Sequence, residues 1–300
     1  MQISSPPGDV PPKPPTISGR PTVSDPVRSR DARALAERAL VRLVQAYGEV
    51  PEFVLLGGLV PDLLCGSAAF RHVGTTDVDV QVDLELHEGS RNAAHLEQAL
   101  TESGFVPDSE RAWRWRDTAA PQLQVKVEFL ADLPDVPDHQ SFSFDGCTAL
   151  GAINLRGTGF AAQDWELREV RADVEGLPTT VQIRVATLPA YLLAKVHAAY
   201  GRGLVKDWYD IAYVLLHNDE AGAAAAARRV RERFGSALVV STATALSELS
   251  ANFADADTQG SIAFATTMVG LHAELDADQL ANDAVAAIGI FIASLRMDEG

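Results

Sequence analysis

The chain contains 300 residues, and 47% of them are hydrophobic, which is enough to fill the core of one large domain or two ordinary ones. This composition excludes collagen, coiled-coil and wholly disordered proteins. The formal net charge of -16, from 25 Lys and Arg against 41 Asp and Glu, argues against a sequence-independent nucleic-acid binder, although it is compatible with a local basic groove.

The amino terminus and the cysteines indicate where the protein resides. The chain begins MQISSPPGDV rather than with a basic stretch followed by an apolar one, and no uninterrupted apolar run reaches the roughly 18 to 20 residues of a spanning helix. Two cysteines, Cys65 and Cys147, are too few for a disulfide framework or a four-thiolate zinc site. We therefore expect a soluble, cytoplasmic protein without a membrane partner.

The first residues predict an arm followed by a helix. Eight of the sixteen prolines lie within the first 26 residues, where they remove backbone donors and fix φ, so residues 1–28 are expected to form a disordered arm. From residue 31 to residue 47 apolar side chains recur at helical spacing, and Gly48 supplies a left-handed stop.

The next segment predicts an α/β unit. An apolar strand at 53–56 ends in Gly57-Gly58, and the spacing of the apolar residues that follow suits a short helix. Residues 77–86 alternate polar with Val or Leu, which is typical of a strand with one solvated and one buried face. The other expected elements of this unit are a helix at 90–103 and strands at 112–117, 122–130, 166–174 and 180–185.

From Thr187 onward the sequence becomes alanine-rich and helical, with Thr187 as a plausible N-cap and Pro189 in the first turn. The expected helices cover 188–200, 206–217, 220–234, 237–252, 258–273 and 277–296. We therefore predict an α/β chain with three parts. These are the Pro-rich arm at 1–28, an α/β domain at 29–186 and an all-helical domain at 187–300.

The alternating strand carries paired carboxylates. Asp77 and Asp79 are two residues apart, so both side chains point to the same face of the strand. Hard cations such as Mg²⁺ prefer oxygen ligands, and a third acid on a neighbouring strand would complete a two-metal site. Glu128 has the polar parity of its strand and is the candidate, with Asp132 as the reserve. Simple alternation explains the same acids without any metal, because the polar positions continue beyond Asp79.

The glycine pair adds specificity to this pattern. Gly57-Gly58 at a strand end permits close backbone approach by a phosphate, although such a pair is more often only a tight turn. The order of strand, Gly-Gly, helix, the stretch TTDVDV at 75–80 and a later acid resembles the nucleotidyltransferases of the DNA polymerase β superfamily. That resemblance implies a mixed sheet with flanking helices. It also implies a triphosphate site at Gly57, Gly58 and Thr76, and Mg²⁺ held by Asp77, Asp79 and Glu128.

A second group of residues lies in the helical region. The stretch LLAKVHAAYGR at 192–202 and the stretch KDWYD at 206–210 resemble motifs of the AbiEii toxin family, in which a Leu-x-x-Lys helix precedes an Arg and a Lys/Arg-Asp-x-x-Asp element. This resemblance covers about residues 50–217 and leaves out the arm and the last 80 or so residues.

The AbiEii resemblance implies roles for four of these residues. Lys195 and Lys206 would contact nucleotide phosphate, and Asp207 and Asp210 would shape the site or assist proton transfer. The residues themselves also permit a simpler interpretation, in which Lys195 only extends its charged end to solvent and the acids form surface ion pairs on a helix. Trp208 and Tyr209 are expected in the core.

Together these features predict an Mg²⁺-dependent nucleotidyltransferase that moves an NMP from an NTP to an acceptor hydroxyl. By resemblance it would be a toxin of a toxin–antitoxin or phage-defence system, with a cognate antitoxin and a tRNA 3′ end or a protein as acceptor. The base of the NTP, among ATP, CTP, GTP and UTP, is left open. A basic patch of Arg228, Arg229, Arg231 and Arg233 could meet tRNA. The alternatives are an aminoglycoside-type adenylyltransferase, which an acidic pocket would suit, and a non-catalytic nucleotide-binding module.

Overall fold

The computed structural model describes residues 29–82, 89–119 and 125–296. The predicted arm and parts of two predicted strands, at 83–86 and 122–124, lie outside the described residues. The strands are β1 (Val54–Leu56), β2 (Asp77–Gln81), β3 (Phe105–Pro107), β4 (Arg114–Asp117), β5 (Lys126–Ala131), β6 (Ser141–Ser143), β7 (Gly151–Asn154), β8 (Trp165–Val174) and β9 (Leu177–Ala186). The helices are α1 (Arg30–Tyr47), α2 (Pro61–Leu64), α3 (Gly89–Glu102), α4 (Gly159–Gln163), α5 (Leu188–Arg202), α6 (Val205–His217), α7 (Ala223–Phe234), α8 (Ser241–Asn252), α9 (Gln259–Leu271) and α10 (Ala277–Arg296).

The strands form one mixed sheet, in the order β3-β4-β5-β2-β1-β9-β8, with β7 pairing to β5 and β6 to β7. The central strand β2 runs parallel to β5 and antiparallel to β1, and β1 runs parallel to β9. The predicted α/β class with a mixed sheet and flanking helices is therefore confirmed at this level. The two predicted acid-bearing strands, β2 and β5, are neighbours in the centre of the sheet.

The buried face of β2 explains why this strand holds its register. Val78 and Val80 are fully buried, whereas Asp77 and Asp79 are only half-buried on the opposite face. Helix α1 packs against β8, β9 and α3, and it covers the apolar side of the sheet with its own buried stripe. Shifting β2 by one residue would place its aspartates in the core, so the alternation fixes which side carries the acids.

Most predicted elements are confirmed to within a few residues, and the differences have local causes. Helix α7 begins at Ala223 because Gly222 has a φ of +91°, and α8 begins at Ser241 after a short 3₁₀ turn at Gly235–Ala237. The sequence did not predict the short elements β3, β6, β7 and α4. They are three to five residues long and depend on neighbours, as when β7 joins the sheet by pairing Ile153 with Leu130 of β5.

Every described element from Leu188 to Arg296 is helical. The buried apolar residues of this region and of the sheet belong to one contiguous hydrophobic cluster, and α5 contacts both β9 and α4. Among the described helices, α10 is long and apolar enough to cross a membrane by length and composition alone. A core helix of a soluble protein meets the same criterion, and α10 packs against α6, α7, α8 and α9.

Candidate active site

The polar face of the central strands brings three candidate acids into two adjacent rows. In the first row Asp79 of β2 is the register partner of Glu128 on β5, and Leu56 of β1 lies on the other side of Asp79. In the second row Asp77 is the partner of Lys126. Because directly paired residues point to the same face, Asp79 and Glu128 lie side by side as the sequence predicts.

The glycine turn lies against the first row. Gly57 has a φ of +77°, and a Cβ placed on it would lie 2.7 Å from the Cγ of Asp79. A Cβ on Gly58 would lie 2.9 Å from the Cβ of Thr75. Because neither glycine has a side chain, Asp79 of β2 and Thr75, two residues before that strand, pack directly against the turn. The 3₁₀ turn Gly57–Leu59 and the short helix α2 follow at once.

Glu128 and its reserve Asp132 occupy different environments. The carboxylate of Glu128 accepts a hydrogen bond of 2.6 Å from Nε of Arg114, its register partner on β4, and also contacts the guanidinium Nη2. Asp132 accepts hydrogen bonds from the backbone N–H groups of Gly157 and Gly159 and pairs with Arg156. Asp132 therefore holds the loop before α4, and Glu128 is the acid that lies beside Asp79.

The proximity of the acids changes their protonation. Burial, followed by the negative charges of Glu128 and Asp77, raises the pKa of Asp79 to about 6, while Lys206 and Lys195 act in the opposite direction. A carboxyl in a cleft whose pKa is raised by burial and by neighbouring negative charges is typical of a site that receives a cation.

The donors fit a hard cation, although they do not form a finished metal cage. Among the described residues, no group of three or more His, Cys, Asp or Glu side chains is arranged to hold a metal ion. One carboxylate oxygen of Asp77, Oδ1, is nevertheless buried without a hydrogen-bond partner in the described part of the chain. Oxygen ligands of this kind suit Mg²⁺, and a bound cation would satisfy the unpaired oxygen.

The second group of predicted residues forms a buried ion network. The ammonium of Lys195 on α5 lies 2.7 Å from Oδ2 of Asp210 and 3.3 Å from Oδ1 of Asp207, both on α6. Arg202 donates two hydrogen bonds to Asp207, of 2.7 and 2.8 Å. Both aspartates are fully buried. The interpretation of these acids as surface ion pairs is therefore wrong, because they face α5 and the interior rather than Lys206 on their own helix.

The charges of this network stabilise one another. Burial favours the neutral forms, but the neighbouring Asp210 and Asp207 outweigh it and raise the pKa of Lys195. Burial likewise acts to raise the pKa of Asp207, but Lys195 and Arg202 outweigh it and lower that pKa. Lys195 and Asp207 are thus both charged over the ordinary pH range. Trp208 and Tyr209, next to Asp207, are buried as predicted.

The network also fixes the loop that leads into β2. Nε2 of His72 lies 2.9 Å from Oδ1 of Asp210, and the backbone N–H of Val73 donates to the hydroxyl of Tyr209. The hydroxyl of Tyr213 donates to the carbonyl of Phe70. Helix α6 therefore holds the segment immediately before the acidic strand, which couples the two halves of the site.

A cavity of about 450 Å³ lies between the acids and helix α5. Gly57, Asp79 and Glu128 line one side, and Lys195 and Arg202 line another. Further polar side chains in the lining are Asp138, His139, Arg156, Thr158, His197, Tyr200 and Ser241. The two motifs that lie more than a hundred residues apart in the sequence therefore meet at one cavity of the size that small ligands occupy.

The remaining predicted residues, Thr76, Lys206 and the four arginines of the basic patch, do not line this cavity. Lys206 is half-buried and lowers the pKa of Asp79, and its ammonium makes no ion pair with the described residues. Thr76 is buried, and its backbone carbonyl accepts a hydrogen bond from Lys126. In the proposed basic patch, Arg228, Arg229 and Arg233 form ion pairs with Glu232, Glu220 and Asp164 respectively, and Arg231 donates to the carbonyl of Ser294.

Two site residues were not assigned from the sequence. Arg202 lies seven residues after Lys195 on the same helix, a spacing that puts both on one face and could have identified it. Arg114 had no such signal, because its position opposite Glu128 follows from sheet pairing alone.

The comparison with known proteins agrees with the second motif. Residues 153–283 match the model of the family described as nucleotidyl transferase AbiEii toxin, type IV TA system. No curated protein matches the chain. The match contains Lys195, Arg202 and the two α6 aspartates, begins after Glu128, and continues well beyond residue 217. The expectation that the last 80 or so residues take no part in the resemblance is therefore wrong.

The match and the geometry thus support each other from different parts of the chain. Asp79 and Glu128 lie outside the matched segment, and both line the cavity that Lys195 and Arg202 of the matched segment also line, whereas Asp77 does not line it. Residues 153–283 are thus similar to the AbiEii nucleotidyl transferase toxins of type IV toxin–antitoxin systems, and this similarity covers a little under half of the chain.

Proposed function

We propose that this chain is the toxin of a toxin–antitoxin pair and an Mg²⁺-dependent nucleotidyltransferase of polymerase-β-like fold. One observation carries the proposal. Asp79 and Glu128 lie side by side next to Gly57 on one side of a cavity, and Lys195 and Arg202 from the family-matched helix line another. Negative groups for a cation and positive groups for a triphosphate therefore face the same space.

The acids would bind the metal. When bound at Asp77, Asp79 and Glu128, Mg²⁺ would neutralise the triphosphate and activate the acceptor hydroxyl. The raised pKa of Asp79 and the unpaired oxygen of Asp77 support this assignment, because a bound cation would stabilise the ionised form of the first and give the second a partner. Phosphoryl chemistry of this kind depends mainly on positioning and charge, so the loss of one carboxylate should greatly reduce the rate.

The cations would bind the triphosphate. Lys206 is the best candidate for direct phosphate contact, because it lies near Asp79 and pairs with no carboxylate among the described residues. Lys195 is held by Asp207 and Asp210, so these acids position its ammonium at the cavity. The backbone of Gly57 lines the cavity beside Asp79 and would approach the phosphates, with Gly58 next to it in the chain. The exposed edge of Arg202, 39% accessible, could contribute further charge.

The acceptor is an RNA or protein hydroxyl in this proposal, with the 3′ end of tRNA as the first candidate. The arginines of α7 are already engaged with neighbouring groups, so they offer less free positive charge than the sequence predicts. A tRNA would thus depend on contacts near the cavity rather than on that helix. The family also implies a cognate antitoxin as partner.

The experiment is a transfer assay with four α-³²P-labelled NTPs. Each NTP is incubated with the purified chain, Mg²⁺ and either total tRNA, the protein alone or an aminoglycoside, and the labelled product is identified. Label on tRNA or protein, lost with EDTA, supports the proposal and identifies the base. Label on the aminoglycoside favours an antibiotic adenylyltransferase. A chain that binds no NTP in calorimetry, with or without Mg²⁺, would instead be a non-catalytic module.

A further inference from the structure

Arg114 occupies a position next to the proposed metal site that the proposed chemistry does not require. It is the register partner of Glu128 across β4 and β5, as Glu128 is the partner of Asp79 across β5 and β2. The three side chains therefore form one row on the polar face of the sheet, with the arginine at the end of two acids. The side chains of Arg114 and Glu128 are 18% and 19% accessible, so little solvent reaches the contact between them.

The contact between them is strong enough to determine where Glu128 points. Nε of Arg114 donates to Oε1 of Glu128 at 2.6 Å, and Nη2 contacts the same oxygen. Hydrogen bonds between a guanidinium and a carboxylate are short and strong because both partners are charged. Because both contacts use Oε1, a metal ion that binds this oxygen must share its lone pairs with Arg114.

The same face contains a natural comparison. Arg116 lies two residues further along β4, so it points to the same side of the sheet, but its register partner is Lys126. Its ion pair is with Asp108 at 3.5 Å, and its side chain is 45% accessible. A general need for positive charge on this strand would apply to both arginines, whereas only Arg114 contacts a proposed metal ligand.

We propose that Arg114 is a positioning residue that competes with the metal ion for Glu128. It neutralises and orients this carboxylate beside Asp79, and a metal ion bound through Oε1 must displace the guanidinium or share the oxygen with it. This inference rests on the proposed function, since it gives the metal site a built-in competitor. It accounts for the finding that the acids lie together without forming a ready-made cage among the described residues.

The test is a titration of the full chain with Mn²⁺ alone, in which the electron paramagnetic resonance signal of free Mn²⁺ measures how much of the ion is bound. Arg114→Met should bind Mn²⁺ about tenfold more tightly than wild type, a difference of about 1.4 kcal/mol, because the competing cation is removed. Arg116→Met, which removes the same charge from the same face, should stay within about twofold of wild type. Equal affinities for wild type and Arg114→Met, or equal gains in both arginine variants, would overturn the inference.

A double-mutant cycle separates competition for Glu128 from a general change in field. In a Glu128→Gln background the Arg114→Met substitution should alter Mn²⁺ affinity by less than about twofold, since the shared group is gone. A full tenfold gain in that background would contradict the mechanism. If Arg114→Met fails to fold by circular dichroism, Arg114→Gln carries the same prediction, because it keeps a polar side chain without the charge.

The proposed function can fail separately in the same titration. Asp79→Asn should weaken Mn²⁺ binding in both the wild-type and the Arg114→Met background. Unchanged Mn²⁺ binding in both Asp79→Asn proteins would place the cation elsewhere and remove the metal site itself. Binding that depends on Asp79 but ignores Arg114 would leave the metal site standing and remove only the role of Arg114.

Discussion

Gly57 and Asp79 are in such close contact that no side chain fits between them. A Cβ on Gly57 would lie 2.7 Å from both Cβ and Cγ of Asp79 and nearer still to Oδ2. The glycine turn and the acidic strand are thus one packed unit, and the glycine is required by the acid as well as by its own positive φ.

Substitution of Gly57 by Ala should displace Asp79 and reduce nucleotide transfer about a hundredfold, since a shift of about 1 Å in a reacting group can have that effect. The matched control is Gly176→Ala in the β8–β9 turn, where φ is +82° and nothing lies within 4 Å. Both variants bear the left-handed strain of about 1 to 2 kcal/mol, visible in urea unfolding. Only Gly57→Ala should lose activity. Equal activity in the two variants would show that the contact with Asp79 has no functional role.

Asp79 should lower the stability of the fold that it serves. Its pKa is raised from the usual 3.8 to about 6, so the ionised form is disfavoured in the folded chain. The destabilisation is fully present above pH 6 and disappears as the pH falls from about 6 towards 4. Asp79→Asn should therefore raise the free energy of unfolding by about 3 kcal/mol at pH 8 and change it little at pH 4. An Asp79→Asn protein less stable than wild type at pH 8 would contradict this account of the acids.

The buried ion network between α5 and α6 should raise the stability of the fold, whereas Asp79 lowers it. Lys195→Met leaves the buried Asp210 and Asp207 without their shared cation, and the loss of one partner of a buried pair costs about 3 to 5 kcal/mol. Arg168→Met is the control, because Arg168 pairs with Glu166 on the surface at 43% accessibility and should change stability by less than about 1 kcal/mol. The comparison is made by urea unfolding at pH 7. Similar small losses in both variants would mean that the network contributes little to the fold.

The sequence predicted the elements well where local pattern decides them. The alternation of β2 from Asp77 to Val80 and the helical spacing of α1 and α5 to α10 match the structure, because each element buries one stripe or one face. The predicted solvated face ends at Gln81, which is buried. The short strands β6 and β7 were not predicted, because Ser141–Ser143 and Gly151–Asn154 form strands only by pairing with neighbouring strands. Their three or four residues contain too few positions to show a period.

The candidate site shows the same division. Asp77, Asp79 and Glu128 could be chosen from strand parity, and sheet register then places Asp79 beside Glu128. The partnership of Lys195 with Asp207 and Asp210 depends on how α5 packs on α6, which no spacing within either helix reveals. For that reason the local interpretation as surface ion pairs was wrong, and the role of Arg114 could be inferred only from the fold.

The most direct test of the central claim is metal-dependent transfer from an α-labelled NTP by wild type, Asp79→Asn and the exposed control Asp145→Asn, with tRNA and protein acceptors present together. We expect label to move with Mg²⁺ for wild type and Asp145→Asn, and transfer to fall by at least about a hundredfold for Asp79→Asn, as expected when charge stabilisation at the reacting phosphate is lost. Full transfer by Asp79→Asn, or no transfer by folded wild type with any NTP, would contradict the account.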